Sequence, residues 1–182
     1  ATWEGVIEDL AKLAFEAILE KCDDPKLLPD RLKSIIGHTL KQDASPLTVW
    51  KVSGNGWKEV LKAHGNSILS KQLEYFHVPR PDNIDALFHD LIGLRNISSN
   101  WKWHGGSNKT LKKNLNALID LRGDIAHSNS EGRSVLKRDV HGGAKLIIRL
   151  AAVTHNSIVK FLRDHYRIAT WTDVKPHKGF DE

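Results

Sequence analysis

The 182-residue chain contains one cysteine, two tyrosines, six prolines and no methionine. A lone Cys22 cannot form an intrachain disulfide, and it excludes a zinc site built from cysteines. A reducing, cytoplasmic setting is the simplest expectation. The missing methionine fits either an initiator lost before Ala1 or a segment of a longer protein. No apolar run approaches the roughly 20 residues that a bilayer span needs, and the N-terminus lacks a basic-then-apolar signal. No membrane partner is therefore expected. No glycine-rich loop leads into Lys-Ser or Lys-Thr, and Gly54-Asn55-Gly56 reads only as a turn. Ten histidines are present, but none pair at helical metal-binding spacing around a glutamate. Neither a cofactor nor a metal site is expected.

Helical periodicity fills the chain instead. Apolar residues recur at three- and four-residue steps from Trp3 to Ile18, which predicts an amphipathic helix over 3–22, stopped by Asp23-Asp24-Pro25. Further helices are expected over 30–41, over 57–76, from Asp82 or Asn83 through Leu94, and from 107 or 108 through Leu121. His64-Gly65-Asn66 is a weak helical stretch that would bend or break the helix over 57–76. Asp82 or Asn83 should cap the helix that follows it. The last helix should run over about 139–167, a length of about 40 Å. That exceeds what a small core requires, so part of it should pack on another subunit or domain. Within it, Gly142-Gly143 marks either a late helix start or a close approach of another helix, with a subunit interface as the functional reading. The run 47–52 is the one β-like stretch, and reads equally as a buried loop. The expected fold is all-α: a bundle of about five to six helices with a long C-terminal helix. It forms one domain over 1–182, with an N-terminal helical layer (1–80), a core (82–167) and a tail (168–182).

Charge is unevenly spread. Residues 1–90 carry 11 Lys+Arg against 14 Asp+Glu, and residues 91–182 carry 16 against 8. The second half, with a net charge of +8, is where a polyanion would be drawn. Trp101 and Trp103 flank Lys102 there. Aromatics alternating with bases can stack nucleobases while the lysine meets phosphate; the plainer alternative is that one or both tryptophans plug the core beneath the loop. Lys109, Lys112 and Lys113 open the next helix about 15 Å along its axis from Arg122, close enough to hold a strand a few nucleotides away. The stretch LRGDIAHS places Arg122 and His127 four residues apart. Arginine supplies a permanent planar charge for a phosphate and its transition state, and histidine moves protons near neutral pH. On an unbroken helix the two would point about 140° apart, so convergence requires loosening near Gly123. The alternative is an arginine on a solvated face and a histidine at a helix C-terminus, where the dipole favours a cation.

The run ALIDLRGDIAHSNS, a short polar loop, and a long helix opening with RDVHGGAKLIIRLAAV resemble the HEPN superfamily, in particular bacterial members tied to phage restriction and abortive infection. The resemblance covers about 108–166. It implies that Arg122 and His127 are catalytic, with Ala126 and Ser128 at small-residue positions. The family often has Asn, Asp or His after the arginine; here Gly123 stands there, with Asp124 as the substitute polar contact. The resemblance further implies metal-independent RNA cleavage by attack of the ribose 2′-hydroxyl, in a homodimer that joins two Arg/His pairs, in phage defence or a toxin system. An inhibitory partner protein or an additional domain would fit such a system. The competing reading is a non-catalytic helical module for dimerisation or RNA binding within a larger defence protein.

Overall fold

The computed structural model describes residues 2–42, 45–126, 137–169 and 171–175. Six α-helices account for most of them: α1 Thr2–Lys21, α2 Asp30–Gln42, α3 Gly56–Glu74, α4 Pro81–Ile92, α5 Asn108–Ala126 and α6 Lys137–Tyr166. No strand occurs among the described residues; a single bridge joins Trp103 and Gly106. The all-α bundle with a long last helix is thus what the periodicity predicts. The 30 residues of α6 extend over about 45 Å.

Helix α1 is the hub. It packs on α3, α4 and α6, and its Ile7, Ala11, Ala14, Phe15 and Ile18 are fully buried. Each of the larger of these side chains contributes about 1.5–3 kcal/mol through burial. The small Ala17 is buried beside them. Helix α3, which packs on α1, runs unbroken through His64-Gly65-Asn66, so the expected break is absent. A Cβ on Gly65 would lie 2.7 Å from Leu19 Cδ1, so the glycine serves the contact between α1 and α3 rather than a helix break.

Two local expectations are corrected. Residues Pro46–Val52 form a 3-10 turn, neither strand nor buried loop, with Leu47, Val49 and Trp50 exposed to 70, 72 and 72%. Local chemistry decides this: Pro46 takes the first turn position and the Ser45 side chain accepts a hydrogen bond from the Leu47 amide. Helix α4 begins at Pro81 after Arg80, not after Asp82 or Asn83. Proline suits a first helical position because its missing N–H would have had no helical partner. Asn83 instead donates to the Val78 carbonyl at 2.7 Å.

The link from α4 to α5 is tied at several points. Asp85 accepts hydrogen bonds from the buried Ser98 through its amide at 2.7 Å and its hydroxyl at 2.6 Å. Asn108 Nδ2 donates to the carbonyls of Ser98 and Trp101 at 2.6 and 3.2 Å. These bonds fix where α5 starts, and hence where its lysines and Arg122 lie.

Candidate active site

Helix α5 is preceded by Ser107, whose hydroxyl accepts from the Thr110 amide, and buries Leu111 and Leu115. Leu118 meets α6 where the latter carries Gly143; a Cβ there would stand 3.0 Å from Leu118 Cδ1. A Cβ on Gly142 would meet nothing within 4 Å. Both glycines lie inside α6, which starts earlier, at Lys137. Of the readings open for this pair, the late helix start is thereby excluded, and Gly143 answers to a close approach of α5.

The helix continues through Arg122, Gly123 and Asp124 to Ala126. Gly123 has no positive φ and open space where a Cβ would sit, so the helix does not loosen at this glycine, and the direction of His127 relative to Arg122 is set after Ala126, where α5 ends. Intrahelical bonding carries the backbone past it. His127 and Ser128 lie outside the described residues.

Arg122 is 57% exposed in its side chain, and its Nη1 lies 3.4 Å from Oε2 of Glu4 on α1. Two residues earlier, Asp120 accepts from Arg80 Nη2 at 2.5 Å. The C-terminal end of α5 is therefore fastened to the first turn of α1 and to the residue that precedes α4. Asp124 is exposed. Glu4 and Arg80 escape sequence reasoning because they stand 118 and 40 residues from their partners, beyond any helical periodicity.

The expected RNA-contacting residues divide. Trp101 is fully buried; its indole donates to Thr154 Oγ1 at 2.9 Å, and its ring meets Trp3 edge-on at 6.2 Å. It is a core residue, and its placement in the RNA surface is corrected: neither ring face is open to a base. Trp103 is half-buried, with the Arg149 guanidinium 6.0 Å from its ring centre. Lys102, Lys109 and Lys113 are exposed and Lys112 is half-buried. Arg149 adds a cation beside Trp103 that the sequence motif did not include.

An open groove of about 520 Å³ lies elsewhere, along α6 by Asn156, Ser157 and Lys160 and beneath Asp173. None of the described candidate residues line it. Among the described residues, no group of three His, Cys, Asp or Glu side chains is placed to hold a metal ion, and no helix is long and apolar enough to cross a membrane.

The sequence matches the protein family described as RiboL-PSP-HEPN over residues 1–160. The chain belongs to that family. No curated protein and no solved structure matches it. The RiboL-PSP-HEPN match begins well before the segment that suggested the resemblance and takes in α1 to α5 and most of α6, so Glu4 and Arg122 both stand inside it. A HEPN-type family suggests a nuclease or RNA-related role for the domain.

Proposed function

We propose that the protein is a metal-independent endoribonuclease of a phage-defence or toxin system, with Arg122 and His127 as its catalytic pair. The observation that carries this reading is the state of Arg122 in a HEPN-type domain: a half-open guanidinium at the end of α5, held at one nitrogen by Glu4 and followed after four residues by His127. A guanidinium so placed has further N–H groups to offer a phosphate.

In the proposed reaction His127 takes the proton of a ribose 2′-hydroxyl. The 2′-oxygen bonds to the adjacent phosphorus and the bond from phosphorus to the 5′-oxygen breaks. The leaving oxygen takes a proton, so the products are a 2′,3′-cyclic phosphate and a 5′-hydroxyl. Arg122 faces the extra negative charge of the pentacoordinate transition state. Two proton transfers call for two histidines, and His127 of a second copy supplies the other. Exposed apolar residues support such a dimer: Val140 and Ile148, 61 and 38% exposed, flank the exposed Ala144 at four-residue steps on α6, and Ile125 at the end of α5 is 48% exposed.

The experiment is RNA cleavage in EDTA. His127→Ala should lower the rate about 10²–10⁴-fold. Arg122→Ala should do likewise, and Arg122→Lys should rescue poorly because a point charge cannot make the two-pronged contact. Heterodimers of wild-type and His127→Ala chains should lose most activity rather than half of it. Full cleavage by pure His127→Ala protein would falsify the assignment. RNA binding without cleavage by the wild type would leave a non-catalytic binding module.

A further inference from the structure

We infer that Glu4 is a positioning residue of the active site: its carboxylate sets the direction in which Arg122 meets the scissile phosphate. The inference rests on the catalytic role proposed for Arg122. An arginine at a helix end has four side-chain torsions and, when solvated, samples many of them. Here one guanidinium nitrogen lies 3.4 Å from a carboxylate that is itself only 24% exposed. Glu4 is a restrained acceptor, in the first turn of the helix against which α3, α4 and α6 all pack. The contact engages Nη1, and among the described residues no other partner takes up the guanidinium, so its remaining N–H groups keep their capacity for a phosphate.

The neighbouring pair strengthens the case. Arg80 and Asp120 bond at 2.5 Å, and this holds the same end of α5 against the start of α4. The backbone end of the Arg122 side chain thus lies beside one ion pair and its guanidinium end in another. An ion pair this exposed adds little to stability. Its effect is expected in geometry, where a misplacement of about 1 Å can cost as much as 10²-fold in rate.

A carboxylate beside the arginine also opposes phosphate binding electrostatically, and this gives the test its signature. Glu4→Ala should lower kcat about ten- to a hundredfold. The Kd for an uncleavable 2′-deoxy RNA should stay the same or tighten, and Tm should be unchanged. Glu4→Gln, which keeps an acceptor of the same length, should recover a large part of kcat, and Glu4→Asp less. Wild-type kcat in Glu4→Ala would overturn the inference. So would a raised kcat, which would make Glu4 an inhibitory latch, and so would a joint fall of kcat, RNA affinity and Tm, which would make it structural. Arg122→Ala is measured in parallel. If it is inactive while Glu4→Ala matches the wild type, only the role of Glu4 is lost. If Arg122→Ala is fully active, the catalytic assignment falls as well.

Discussion

Tyr166 shows how one side chain near the end of α6 joins distant parts of the chain. Its hydroxyl donates to the Ile92 carbonyl at 2.8 Å, and its ring stands edge-on to Phe161 and His165. Burial, with a smaller push from Cys22, raises the phenol above its ordinary value. Only the protonated phenol can donate, and its folded-state value lies above the unfolded value of about 10. The stability it contributes is therefore complete below about pH 10 and is lost as pH rises through the folded value. Tyr166→Phe leaves the carbonyl at the end of α4 without this donor, and should cost about 1–3 kcal/mol in urea unfolding at neutral pH. It should also weaken the alkaline decline in stability. Equal urea midpoints for the two proteins would show that the bond contributes nothing.

Among the helices, the two adjacent glycines of α6 form a controlled pair. Both carry the conformational cost of a glycine in a helix, and one of them faces open space. Gly142→Ala should stabilise the protein by about 0.5–1 kcal/mol, because the methyl group restricts the unfolded chain and meets nothing in the folded one. Gly143→Ala carries the same gain, but its methyl presses on Leu118. It should stabilise less than Gly142→Ala or destabilise. Thermal melts of the two variants check the order, and equal shifts would argue against the close approach. The same comparison shows what was legible in the sequence. Apolar stripes placed the helices because burial on one face imposes a spacing of three and four residues, as in α1 and α5. Periodicity could not foresee the 3-10 turn at Pro46–Val52, where capping chemistry prevailed over β-branched composition. Nor could it tell a glycine that breaks a helix from one that brings two helices together, as Gly65 and Gly143 do. Trp101 and Trp103 look alike in sequence, yet only one of them has Thr154 waiting for its indole. The contact of Glu4 with Arg122 depends on the whole bundle and has no local signal.

For the molecule as a whole, the charge asymmetry sets how it should meet RNA. The exposed Lys109 and Lys113 stand toward one end of α5 and Arg122 toward the other, so binding and chemistry should separate in mutants. RNA affinity should fall with salt as counterions are released. Charge reversal at Lys112 and Lys113 should weaken binding and reduce the salt slope by about one for each phosphate that a lysine no longer neutralises. Single-turnover cleavage at saturating protein should change much less. An affinity that ignores salt from low to physiological levels would place the RNA elsewhere. The core also gives the protein an optical handle. Trp3 of the first helix donates to the Pro79 carbonyl at 3.1 Å, Trp101 donates to Thr154 of the last helix, and the two rings meet at 65°. Two indoles held at a fixed angle in an apolar interior couple their excited states. The joining of the first and last helices is thereby written into the near-ultraviolet circular dichroism of the native protein, a signal that should vanish when the bundle opens even where helical content persists.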